Sequence, residues 1–120
     1  MTTRLEPTRI PGTYVFITTT AALPSAHVQA LVVEDEGSTV VLEVEEAKRL
    51  GLEIETRWTW ITLGLASELE AVGITAGFSA ALSAAGISCN VLAGYHHDHL
   101  LVPEARADEA FAILSALELP

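Results

Sequence analysis

The sequence is poor in three things. It has one cysteine, six lysine and arginine residues against sixteen aspartates and glutamates, and no apolar run near the roughly 20 residues that span a bilayer. A single cysteine, Cys89, rules out an internal disulfide and suits a reducing compartment. A net charge of −10 repels phosphate backbones, so nucleic acid is not expected as a partner. No membrane partner is expected either, because nothing in the chain is long and apolar enough to insert. The opening stretch MTTRLEPTRIPG carries charge and proline where a signal peptide needs an apolar core, so the expectation is a cytoplasmic protein. The chain holds no nucleophile elbow, phosphate loop or CxxC pair, so no catalytic function is expected and no cofactor is called for.

What is present is apolar bulk. Half of the 120 residues are hydrophobic and mean hydropathy is +0.40, high for a chain that buries roughly two thirds of its surface on folding. A monomer rarely exposes a large apolar patch, so part of this surface is expected between subunits, in a homodimer.

The patterning is mixed. TYVFITTT (Thr13 to Thr20), HVQALVVED (His27 to Asp35) and TVVLEV (Thr39 to Val44) read as strands by their β-branched and aromatic content, with a glycine turn between the last two. EEAKRLG then predicts a short helix, with Glu45 and Arg49 spaced to pair and Gly51 placed as its stop. RWTWITLGLA (Arg57 to Ala66) alternates Trp58, Trp60 and Thr62 against Thr59, Ile61 and Leu63, the period of a strand covered on both faces. Ile74, Phe78, Ala81, Leu82 and Ala85 recur at helical spacing and Gly86 ends them. Upstream, Ser67 and Glu70 match a capping box, set apart from this helix by a turn at Gly73. ISCNVLAGY (Ile87 to Tyr95) and HLLVP (His99 to Pro103) read as strands, and Ala107, Ala110, Phe111, Leu114 and Leu117 as a final helix. The second half is thus β-α-β-β-α, most of a ferredoxin-like unit. The expected organisation is a β-meander with a short helix over residues 1–56, packed on a second domain over 57–120.

Three clusters carry chemistry. His96, His97, Asp98 and His99 have atoms suited to zinc, but adjacent side chains in extended backbone point to opposite faces, and a turn seldom gathers four neighbours around one ion. Metal binding through His96, His97 and His99, a ligand-facing histidine and a plain hairpin turn all stand as alternatives. Cys89 alternates with Ile87 and Val91 on an apolar face, where a lone thiol behaves as a small hydrophobe rather than a nucleophile. Trp58 and Trp60 suit packing better than ligand stacking.

The stretch LEAVGITAGFSAALSAAGISCNVLAGYHHDHLLVP resembles the ACT domain family, small ferredoxin-like modules that bind amino acids and regulate metabolic enzymes. VGITAGFSAALSAAGISCNVL in particular is similar to the ACT modules of aspartokinases. The whole chain, with TVVLEVEEAKRLGL and YHHDHLLVP, resembles short stand-alone bacterial ACT-domain proteins. The resemblance implies an α+β, ferredoxin-like fold (βαββαβ) with an antiparallel sheet and helices on one face, extended by the N-terminal meander. It also implies a turn role for HDH at the hairpin, and an effector site lined by Ser67, Glu68, Leu69, Val72, Gly73, Ile74, Asn90 and Val91. The chemistry agrees: backbone N–H groups opening the helix at Gly73 suit a carboxylate, and the Asn90 amide suits an ammonium. The function implied is a non-catalytic sensor of an amino acid or related metabolite. An interaction module with a vestigial pocket, or a metal-dependent enzyme using His96 to His99, is the alternative.

Overall fold

A computed structural model describes residues 3–21, 23, 27–64 and 72–120. In chain order the elements are β1 (Thr3–Arg4), β2 (Pro7–Thr19), β3 (Ala30–Glu34), β4 (Gly37–Glu43), α1 (Val44–Arg49), β5 (Trp58–Leu63), α2 (Ile74–Ala84), β6 (Asn90–Ala93), β7 (Asp98–Pro103), α3 (Ala107–Ala116) and β8 (Glu118–Leu119). The chain forms two compact units, one from Met1–Pro11 with Thr59–Pro120, the other from Gly12–Trp58. The first residues of the chain therefore go with its second half.

In the first unit β6 and β7 pair antiparallel, with Asn90 opposite Leu101 and Leu92 opposite His99. The strand order is β2-β5-β7-β6, β2 entering through its residues up to Pro11. The Glu6 carbonyl accepts the Gly64 N–H at 2.8 Å where β2 begins beside the end of β5. Numbered within the unit, this is the 4-1-3-2 order of a ferredoxin-like sheet, its fourth strand supplied by the N-terminal segment. The expected α+β, ferredoxin-like architecture is present. Alternation puts Ile61 and Leu63 of β5 and Leu100 and Val102 of β7 on one face, where they pack with Phe78 and Leu82 of α2 and Ala110 and Leu114 of α3. Both helices thus cover the same face. Leu5 is fully buried in this cluster, and the β1–β8 pair, Thr3 opposite Leu119, ties the two ends of the chain together. At two residues each, β1 and β8 are too short to leave a periodic signal.

In the second unit β4 lies between β3 and β2 and is antiparallel to both. Val15, Val40, Leu42, Val44 and Ala47 form its core. Here β2 begins at Pro7 rather than Thr13, and β3 is shorter than its sequence pattern, because the His27 N–H goes to the Glu46 carboxylate at 2.8 Å instead of to a strand.

The two predicted stop glycines do their work by one geometry. Gly86 takes φ 72° and its N–H bonds Ser83 O at 2.9 Å, while Ile87 N–H bonds Leu82 O at 3.0 Å. Gly51 takes φ 71°, with Gly51 N–H to Lys48 O at 3.0 Å and Leu52 N–H to Ala47 O at 2.9 Å. Both are Schellman caps, which need a left-handed residue after the last helical one. Since the Ile87 amide is spent on the cap, β6 starts at Asn90 rather than at Ile87.

Leu5→Ala tests the placement of the N-terminal segment. Truncating a fully buried leucine costs about 2–5 kcal/mol, so urea denaturation is expected to show a loss in that range, as for Leu114→Ala. A loss under about 1 kcal/mol, the scale of surface changes, would remove the segment from that core.

Candidate functional site

Helix α2 begins without the usual protections. Gly73 is its N-cap at φ 93°, ψ −19°, with no side-chain cap and no acid in the first turn. Its hydrogen-bond ladder starts with Gly77 N–H to Gly73 O at 2.9 Å, so the N–H groups of Ile74, Thr75 and Ala76 have no acceptor inside the helix. The other two helices differ: α1 carries Glu45 and Glu46 in its first turn, and α3 carries Asp108 and Glu109. Acids there oppose the positive end of the macrodipole. A Cβ built on Gly73 would meet nothing within 4 Å, so the space over the cap is open among the described residues. Val72 is 94 % exposed, and Ile74 anchors the turn by packing against the core.

Ser67, Glu68 and Leu69, and the Ser67/Glu70 capping box, lie outside the described residues. Asn90 is exposed at the start of β6, whereas Val91 is half-buried against the helix-covered core. Consecutive strand residues face opposite ways, so of the two side chains Val91 is the one that shares a face with α2. β6 is the last strand in the sheet order, which leaves both residues at an edge.

The histidine-rich stretch forms the β6–β7 hairpin. Gly94 N–H donates to His97 O at 2.9 Å, leaving Tyr95 and His96 as the two turn residues. Their rings meet edge to face at 5.1 Å. A Cβ on Gly94 would sit 2.8 Å from His97 O and 3.0 Å from His99 Nε2, so the turn needs glycine for close approach. His99 engages the neighbouring strand: Thr62 Oγ1 lies 3.0 Å from its Nδ1, and the Trp60 indole N–H donates to Thr62 Oγ1 at 3.1 Å and reaches His99 Nδ1 at 3.4 Å. An indole N–H can only donate. The Nδ1 edge of His99 is thus engaged by the Thr62 hydroxyl and the Trp60 indole. Burial, with His97 beside it, holds the His99 pKa below its usual value. Among the described residues no three His, Cys, Asp or Glu side chains are arranged to share an ion. Cys89 packs against the core, and burial pushes its thiol up to about 11, far from the thiolate a nucleophile requires. Trp60 is buried, and Trp58 meets Phe16 edge to face at 5.6 Å.

The Gly12–Trp58 unit holds a groove of about 420 Å³ lined by His27, Gln29, Glu43, Glu45, Glu46 and Arg49. No periodicity in the sequence points to it, since its walls come from a loop, the last residue of β4 and one short helix. Arg49 pairs with Glu46 at 2.6 Å and Lys48 with Glu45 at 3.3 Å, so both ion pairs span three residues where the spacing had suggested Glu45 with Arg49. Glu46 is fixed by its second partner, the His27 N–H. Hydrogen bonds from Arg49 and then from the His27 amide hold its carboxyl at about 2, well below the usual carboxylate range.

Residues 53–116 match the ACT domain family, and residues 1–58 match a second family model also described as ACT domain. Among solved structures, a Vibrio cholerae protein of unknown function, described as a possible transport protein, is 43% identical with a TM-score of 0.89, over 93% of this chain and 88% of that one. An Agrobacterium tumefaciens protein is 18% identical with a TM-score of 0.76, over 93% and 87%, a likeness of fold alone. No curated protein matches the chain.

The depressed Glu46 pKa has a sign that can be measured. Its contribution to stability is complete above the ordinary value of 4.5 and is lost as pH falls toward about 2. The difference in melting temperature between the native chain and Glu46→Gln is expected to be constant above that window and to close within it. A difference independent of pH would mean that the carboxylate does not hold the start of the groove.

Proposed function

Because the chain belongs to the ACT domain family, in general regulatory modules that bind small molecules, we propose that it is a non-catalytic sensor of an amino acid or a closely related metabolite. The observation that carries this is the start of α2, where three main-chain amides, a left-handed glycine and open space meet at the positive end of a helix dipole. A ligand carboxylate is the natural complement of those amides. Gly73 permits close approach, Ile74 is held in place by the core, and Val72 borders the space. Ser67, Glu68 and Leu69 belong to the proposed site as the segment that leads into the helix. Asn90 and Val91 lie on an edge strand and are assigned to the site across the interface of the homodimer, where the Asn90 amide oxygen suits the ammonium group.

The protein is read as cytoplasmic and homodimeric. No helix of the described residues is long and apolar enough to cross a membrane.

Thermal unfolding in the presence of each of the twenty amino acids tests the sensor. A ligand at a hundred times its dissociation constant adds about 2.7 kcal/mol, and Gly73→Val is expected to abolish that gain. The left-handed strain of the substitution itself costs about 1–2 kcal/mol; with nothing within 4 Å of its Cβ, it leaves the packing intact. Stabilisation retained by Gly73→Val would move the site away from the helix start. No stabilisation by any amino acid would favour an interaction module instead.

A further inference from the structure

We propose that His99, Thr62 and Trp60 form a proton-operated latch between the neighbouring strands β5 and β7, which holds the β6–β7 hairpin closed while the His99 ring is neutral and loosens it in acid. All three side chains lie on the face of the sheet away from α2 and α3, since Trp60 and Thr62 alternate with Ile61 and Leu63 on β5, and His99 precedes Leu100 on β7. Their polar atoms form a triangle. Thr62 Oγ1 lies 3.0 Å from His99 Nδ1, the Trp60 indole N–H donates to Thr62 Oγ1 at 3.1 Å, and the same N–H reaches His99 Nδ1 at 3.4 Å. The Trp60 and His99 rings meet at 5.5 Å, tilted by 55°. Trp60 is 8% exposed, so the contact is made inside the protein and is not a pair on its surface.

The ring is held at both edges. Nδ1 faces β5, while Nε2 lies against the turn, 3.0 Å from the place a Cβ on Gly94 would take. A neutral imidazole keeps one nitrogen as an acceptor, whereas a protonated ring carries N–H at both nitrogens and accepts nothing. Its Nδ1–H then faces the indole N–H, donor against donor, and the Thr62 hydroxyl can no longer give its hydrogen to the ring. The turn has no relief to offer. His97, two residues away, has a buried Nδ1 with no partner among the described residues, and protonating it as well adds a second positive charge to the same hairpin.

The surroundings resist the proton. Burial, and after it the neighbouring His97, hold the His99 pKa below the ordinary 6.5, with Asp98 acting the other way. From β5 the ring meets Trp60 and Thr62, and on β6 Leu92 stands opposite it, none of which titrates. The closed hairpin therefore binds the proton more weakly than an open one, so closure is complete above 6.5 and is lost as pH falls from there through the folded value. Within that window each pH unit favours opening by up to about tenfold, the effect of taking up one proton. β6 carries Asn90 and Val91, so acid also loosens the strand side of the proposed amino-acid site; that consequence rests on the sensor reading, and the latch does not.

Nuclear magnetic resonance of the isotope-labelled full chain between about pH 8 and pH 5, the range in which histidine titrates, tests the latch. The His99 ring nitrogens, the Trp60 indole N–H and amide exchange along β7 are read together. The ring is expected to titrate below 6.5, with the indole resonance moving at the same midpoint. Protection of the β7 amides, corrected for the intrinsic pH dependence of exchange, is expected to fall by up to about tenfold per pH unit while that of the β4 amides holds. His99→Gln keeps an acceptor but cannot take up a proton, so indole resonance and β7 protection are expected to stay constant over the range. A folded His99→Gln chain that keeps the native pH response would assign it to another group and overturn the latch. Should that variant fail to fold, the native chain decides alone. A His99 ring that titrates while the indole and β7 stay unmoved overturns the proposal, and so does a loss of protection shared equally by β4. No amino acid enters these measurements, so their failure leaves the sensor reading untouched.

Discussion

A helix cannot satisfy its own first amides, and in a chain this acidic the three α-helices of the described residues meet that demand in different ways. α1 and α3 place Glu45, Glu46, Asp108 and Glu109 in their first turns, where negative charge opposes the dipole and leaves nothing for a ligand to supply. α2 has no acid in its first turn and no side-chain cap, only a left-handed glycine with nothing among the described residues above it. The chain carries a net charge of −10, so a helix start with no acid in its first turn stands out among the described residues. It suits a small anion that brings its own counter-group. A nucleic acid or a membrane surface would meet that net charge at every other point of approach.

The rest of the first unit keeps this helix start in place. Phe78 and Leu82 fix α2 against Ile61, Leu63, Leu100 and Val102, and the Schellman cap at Gly86 folds Ile87 back into the same core. Leu5 closes the unit from the far end of the chain. The start of the helix is therefore exposed while its body is packed into the core. The hairpin from Gly94 to His97 uses its close approach for the turn itself, and His99 is engaged by Thr62 and Trp60 on the face away from the helices.

Much of this was legible in the sequence, for physical reasons that also set its limits. Period and stop glycines located α2, α1 and β5, because 3.6 and 2.0 residue repeats and a left-handed cap are local properties. The role of residues 3–11 was not legible: Leu5 has no periodic neighbours, and its burial is decided by a core more than fifty residues away. β3 and β6 came out shorter than their apolar patterns because the His27 and Ile87 amides serve a carboxylate and a helix cap, partners that a strand pattern does not register. The groove beside Arg49 was silent in the sequence, since the side chains lining it are ordinary surface residues until a loop folds over them. Gly73 and Ile74 were legible as a helix entry. The opposite facing of Asn90 and Val91 follows from strand alternation, and that they sit at a sheet edge needed the topology.

The most direct measurement is amide chemical-shift mapping of the isotope-labelled chain during titration with amino acids. Binding at the start of α2 predicts saturable shifts centred on Gly73, Ile74, Thr75 and Ala76, with smaller ones at Asn90 and Val91. Saturable shifts confined to the groove at His27, Gln29 and Arg49, with the first turn of α2 unmoved, would contradict it.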